Sequence, residues 1–162
     1  PFILIGVSLG GMVAAELNDI LNPVQTIIIS SAKNSNELPR RYKFMRLIPL
    51  YKLFPAGLIK ASSFFMQPLV EPDRKKEKAI FKSMLRKKDK HFLKRSIPLI
   101  INWQKKCNSG KPLIHIHGNR DHTIPIKNIK SSITINGGSH MMVLTQAKLI
   151  SEKINEILEK TD

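Results

Sequence analysis

Pro1-Phe2-Ile3-Leu4-Ile5-Gly6-Val7-Ser8-Leu9-Gly10-Gly11 is the stretch from which the rest of this chain is read. Residues 2–7 are a continuous apolar run of strand length, and Val24 to Ile29 form a second, rich in β-branched side chains. Unbroken runs of this kind predict strands buried on both faces. Between them Gly10, Val13, Leu17, Ile20 and Leu21 recur at helical spacing. They predict an amphipathic helix with these residues as its apolar stripe, ending at Asn22-Pro23. Strand, sharp turn, helix and strand within about 30 residues is the size of a right-handed βαβ unit with parallel strands. At the turn, Gly6 and Gly10 flank Ser8 at two residues on either side. A serine at so tight a junction is forced into a strained backbone conformation, and both glycines are expected to let neighbouring chain pass without a β-carbon clash.

A glycine-rich turn at a helix start can also hold a phosphate, but the spacing here is neither that of a dinucleotide fingerprint nor that of a P-loop. The serine invites a different search. A hydroxyl is a poor nucleophile at neutral pH and needs a general base, which needs a carboxylate to set its tautomer and stabilise its charged form. Asp121 stands in His117-Gly118-Asn119-Arg120-Asp121-His122, directly after a third apolar run, Pro112 to Ile116. His140 stands in Gly137-Gly138-Ser139-His140, directly after a short fourth run, Ser132 to Ile135. Ligand-handling residues of an open parallel sheet lie beyond the carboxyl ends of its strands, which is where Ser8, Asp121 and His140 all fall. His115 and His117 alternate along the third strand, so they share a face and could join Asp121 around a metal. A closed ligand set is not evident, and neither a metal nor a cofactor is expected. His122 is too close to Asp121 in sequence to be the better base, and His91 lies in the basic segment. Trp103 and Cys107 read as packing residues on one helix.

From Ser35 to about Arg95 helical pieces are punctuated by Pro39, Pro49, Pro55, Pro68 and Pro72, with large apolar residues such as Phe44, Leu47, Leu53, Phe64 and Met66. This segment reads as an inserted helical lid. Pro72-Asp73 suits a helix start, with Ile80, Phe81, Met84 and Leu85 on its apolar face. Ser96 before Ile97-Pro98 predicts another start, for a helix running through Trp103 to Cys107 and stopped at Asn108-Ser109-Gly110. Ala147, Ile150, Ile154, Ile157 and Leu158 mark a closing amphipathic helix. The pattern predicts an α/β fold with a doubly wound, mostly parallel sheet: residues 1–34 and 96–162 form the core and 35–95 an inserted helical cap.

The strand followed by Gly6-Val7-Ser8-Leu9-Gly10-Gly11, then His117-Gly118-Asn119-Arg120-Asp121, then Gly138-Ser139-His140, resembles the α/β-hydrolase family in its Ser, Asp, His order. The resemblance implies a serine hydrolase, of carboxylesterase or lipase type, cleaving an ester, thioester or related acyl bond through an acyl-enzyme. It implies Ser8 as nucleophile, His140 as base then acid, Asp121 as orienter, Gly6 and Gly10 as glycines of the nucleophile elbow, and the Leu9 amide as one oxyanion-hole donor. The family's second donor comes from a loop after an upstream strand with no counterpart here, which places the start of this chain at the family's fifth strand.

The apolar run beginning at the first residue, with neither Met nor leader, is read as the sign of a fragment, which on its own is expected to be inactive. The single cysteine cannot form an internal bridge, and no apolar run approaches the ~20 residues that span a bilayer. A cytoplasmic location is the corresponding expectation. The formal charge is +15, and residues 31–110 hold 20 of the 27 basic residues against five of the 12 acidic ones. Runs such as Arg74-Lys75-Lys76 and Arg86-Lys87-Lys88 would attract anions. The expected partner is a small-molecule acyl substrate, with peripheral contact to an anionic membrane as a further option; nucleic acid is not expected, and the oligomeric state is left open. The reading from another class is a basic module that binds polyanions on a hydrolase-like scaffold.

Overall fold

The computed structural model describes residues 1–70, 75–106 and 110–160, in backbone only at 64–70 and 75–77. Four strands, β1 (Ile3–Val7), β2 (Gln25–Ile29), β3 (Leu113–Gly118) and β4 (Ile133–Ile135), form one parallel sheet in sequential order. Helix α1 (Leu9–Leu21) connects β1 to β2. Its last turn closes at Asn22, whose left-handed backbone (φ 57°) ends the helix just before Pro23. Between β2 and β3 lie α2 (Arg40–Leu47), α3 (Ala56–Val70), α4 (Lys75–Lys87) and α5 (Lys90–Ile101). Helices α6 (Met142–Thr145) and α7 (Ala147–Leu158) follow β4.

Helices pack on both sides of the sheet, and its second strand is covered on both faces. Ile27, Ile29, Ile116 and Ile135 pack with Met142, Ile150 and Ile157 of α6 and α7 in one cluster. On the other side Met12 of α1 packs with Ala32 and Leu38, joined by Tyr42, Ile100 and Trp103. Every residue of β2 is buried. Its polar Thr26 is satisfied because its hydroxyl donates to Asn18 of α1 at 2.7 Å.

Four expectations from sequence need correction. Strand β1 is not buried on two faces: Ile3, Ile5 and Val7 are exposed, while α1 lies against its other face. Helix α1 has the expected extent but turns the expected stripe outward, with Val13, Ile20 and Leu21 exposed and Gly11, Ala14, Ala15 and Asn18 buried. Close approach decides this. A β-carbon on Gly11 would come within 2.5 Å of the Ser31 side chain, so position 11 admits no side chain where the helix comes nearest to the end of β2. Ser96 does not start a helix, because Asp89 already caps α5 by accepting from the Phe92 amide at 2.8 Å. Ser96 instead donates back to the Phe92 carbonyl from inside α5, Pro98 is interior, and the helix stops at Ile101 before Trp103. The junction at 95/96 thus falls within one helix. The fourth correction concerns Gly10, described with the site below. Pro72-Asp73 and Cys107 to Ser109 lie outside the described residues, while Met84 and Leu85 of α4 turn inward as expected. Among the described residues no helix is long and apolar enough to cross a membrane.

Candidate active site

Ser8 sits between the last residue of β1 and the first of α1, at φ 53° and ψ −121°, a conformation that costs a non-glycine residue about 1–3 kcal/mol. The surroundings hold it there. Its amide donates to the Ile29 carbonyl at 3.0 Å, continuing the β1–β2 ladder, while its carbonyl accepts from the Gly11 and Met12 amides and from the Ser31 hydroxyl at 2.7 Å. A β-carbon on Gly6 would lie 2.3 Å from the Gly10 carbonyl oxygen, so β1 and α1 can meet this closely only with glycine at position 6. Gly10 differs: a β-carbon there meets nothing within 4 Å. The expected steric role at position 10 belongs to Gly11 instead.

The loops after β3 and β4 are bound to each other. The Arg120 amide donates to the Gly138 carbonyl at 2.9 Å, and the Asn119 side chain accepts from the Gly137 amide at 2.8 Å. This brings Asp121 and His140 together at the end of the sheet where Ser8 stands. The Ser8 Oγ is 2.9 Å from His140 Nε2, and His140 Nδ1 is 2.8 Å from Asp121 Oδ2. The carboxylate's other oxygen accepts from the Ile124 amide at 2.8 Å. Asp121 is buried, and burial alone would raise its pKa. The neighbouring His140 charge and hydrogen bond, with the Ile124 amide and His117, outweigh burial and hold the carboxyl below its ordinary range.

His115 and His117 do share a face, but three of their four ring nitrogens are engaged with each other and with the backbone. His115 Nε2 lies 3.2 Å from His117 Nδ1, and His117 Nε2 lies 2.9 Å from the Ile124 carbonyl. Burial, then the His117 charge, pushes the His115 pKa down to about 3, and burial lowers that of His117 against the opposing pull of Asp121. Among the described residues no group of three or more His, Cys, Asp or Glu is arranged to hold a metal. His122 is exposed, and its carbonyl accepts from Arg41. Trp103 is a packing residue whose indole donates to Glu16 at 2.6 Å. Ser31 and Ile124, which brace Ser8 and Asp121, carry no motif in the sequence. Their roles come from folding alone.

A cavity of about 700 Å³ opens beside Ser8 and His140. Its walls are mostly apolar: Val7, Leu9 and Val13 on one side, Met84 of α4 with Phe92 and Ile100 of α5 over them, and Met141 and Leu144 beyond His140. Lys88 and Ser96 are the polar side chains contributed by the helices. Such a space admits a drug-sized ligand and places it against the serine hydroxyl.

No family model matches this chain, and neither does any curated protein. Solved structures do. A thermophilic esterase superposes with a TM-score of 0.68 at 19% identity, covering 98% of this chain and 66% of that one. A candidate non-heme bromoperoxidase from Mycobacterium tuberculosis H37Rv gives 0.68 at 14% identity, over 99% of this chain and 67% of that one. An esterase from Rhodococcus sp. gives 0.60 at 17% identity, over 96% and 64%. The chain thus spans about two thirds of the length of the structures it resembles. With its parallel sheet, flanking helices and these likenesses, the chain has the α/β-hydrolase fold.

Proposed function

We propose that this chain carries the reacting groups of a serine hydrolase that cleaves an ester, thioester or related acyl bond through an acyl-enzyme. One observation carries the reading: an unbroken hydrogen-bonded path from Ser8 Oγ through His140 to the buried Asp121. That two of the similar structures are esterases supports the same class.

In the first step Ser8 Oγ bonds to the acyl carbon while its proton passes to His140 Nε2, and the carbonyl π electrons move onto oxygen. Asp121, kept ionised, accepts from Nδ1–H and stabilises the imidazolium. The Leu9 amide at the positive end of α1 donates to the oxyanion. Collapse of the tetrahedral species breaks the bond to the leaving group, which takes the proton from Nε2. Water repeats the sequence on the acyl-serine, losing a proton to His140, and releases the acid with Ser8 restored. Residues 35–95 act as a cap, and the apolar cavity beneath α4 and α5 favours an apolar acyl group.

The test is covalent labelling of the full chain with a fluorophosphonate, followed by mass mapping. Labelling should fall on the peptide carrying Ser8, vanish in Ser8→Ala and slow by at least a hundredfold in His140→Ala. Equal labelling in His140→Ala would remove the general-base assignment.

A further inference from the structure

Residues 38–70 contain six basic side chains and neither Asp nor Glu. The same stretch exposes large apolar residues that no packing explains: Phe44, Leu47, Ile48, Leu50, Leu53 and Phe54, with Leu47 and Leu53 at 77% and 79%. On α2, at 100° per residue, Phe44 and Leu47 share a face with Arg40 and Lys43, while Tyr42 points the opposite way into the core cluster. The helix is therefore amphipathic on its outer side, with apolar tips flanked by cations. Scattered exposed apolar residues are ordinary, but a run of six within eleven residues is not.

A second element meets this stretch in space. Lys52 and the buried Tyr51 line a hollow of about 400 Å³ together with His91, Lys94, Arg95 and Pro98 of α5. These α5 residues recur at i, i+3, i+4 and i+7, so they form one face of the helix; Phe92, Leu93, Ser96 and Ile100 form the opposite face and line the Ser8 cavity. Helix α5 thus separates the reacting groups from a hollow whose lining holds three permanent cations and no acid.

We propose that the outer face of α2, the turn at Leu50–Leu53 and the basic hollow against α5 form a docking surface for an anionic membrane. The chemistry matches that occupant on two counts. Cations gain from the negative surface potential of acidic lipids, and apolar tips between them gain from entering the acyl boundary. A polyanion such as nucleic acid would use the cations but leave Leu47 and Leu53 in water. The surface does not depend on Ser8 chemistry.

The experiment is co-sedimentation of the full chain with vesicles of phosphatidylcholine, with and without about one third phosphatidylglycerol. Binding should require the anionic lipid and weaken with salt. At roughly fivefold per cation, Lys52→Glu with Lys94→Glu and Arg95→Glu should cost about a hundredfold or more in affinity. The charge-matched control Lys148→Glu with Lys153→Glu and Lys160→Glu, on and just after α7, which packs on the side of the sheet opposite α1, should cost less than tenfold. Leu53→Trp should show blue-shifted emission quenched by brominated lipid, a readout independent of whether the charge variants fold. Equal losses in the two charge triples would mean a response to net charge alone and would overturn the proposal. So would an unquenched Trp at position 53, or tighter binding to a short oligonucleotide through the same three cations.

Discussion

Replacing Gly6 and Gly10 separately by alanine should have effects of opposite sign, although both glycines stand two residues from Ser8. At Gly6 the added carbon would lie 2.3 Å from the Gly10 carbonyl oxygen, 2.6 Å from its carbon and 2.7 Å from the Gly11 Cα. All three are backbone atoms, so no side chain can swing aside; β1 and α1 must move apart. Overpacking of this kind costs about 1–3 kcal/mol, and the upper end applies where the obstacle is backbone. At Gly10 the space is open, and alanine in a helix is favoured over glycine by up to about 1 kcal/mol. For a chain of this size each kcal/mol moves the melting temperature by about 2–4 °C. Gly6→Ala should therefore melt roughly 4–12 °C lower and Gly10→Ala a few degrees higher, by scanning calorimetry or urea unfolding of the full chain. Moving β1 from α1 also disturbs Ser8, so Gly6→Ala should label poorly with fluorophosphonate even below its melting point. If Gly6→Ala melted within a degree of the parent, or Gly10→Ala lost as much as Gly6→Ala, the close crossing of strand and helix would be wrong.

Three further outcomes concern Asp121 and His115. Asp121→Asn should slow labelling of Ser8 by roughly 10³- to 10⁴-fold, because a neutral amide can leave the imidazole in the wrong tautomer. Since the Asp121 pKa is lower in the folded chain, the stability it contributes is present above its unfolded value, about 3.9, and is lost as pH falls through the folded value. Urea midpoints between pH 5 and 3 should thus decline less steeply in Asp121→Asn than in the parent, and parallel curves would refute this. His115 works in a higher window. With a folded pKa of about 3 against an ordinary 6.5, the unfolded chain takes the proton first, so stability drains as pH falls from about 6.5 toward 3. His115→Leu should be flatter than the parent between pH 7 and 4; an unchanged slope would show that this imidazole is not held neutral.

The residues of the candidate site were legible because each depends on local pattern. Ser8 is marked by a strand, a glycine-flanked turn and a helix; Asp121 and His140 each follow a strand-length apolar run, and strand ends of a parallel sheet converge at one edge. The face of α1 was not legible in the same way. Val13, Ile20 and Leu21 made the better apolar stripe, yet Gly11, Ala14, Ala15 and Asn18 took the sheet, with Gly11 too close to Ser31 to carry a β-carbon and Asn18 bonded to Thr26. The start of α5 was misread because Ser96-Ile97-Pro98 has the residues of an amino-terminal cap. Asp89 has them too, and accepts a real hydrogen bond seven residues earlier.

By itself the sequence determined the alternation of strand and helix, the parallel sheet, and the identity and order of serine, aspartate and histidine, since these follow from periodicities of two to four residues and from turn chemistry. Only the tertiary structure decided which face of α1 is covered, that Ser31 and the Ile124 amide brace the site, and that α5 stands between the Ser8 cavity and a basic hollow. Those are contacts between segments distant along the chain. Their strength depends on distances set by the packing of the whole sheet, which no local pattern encodes.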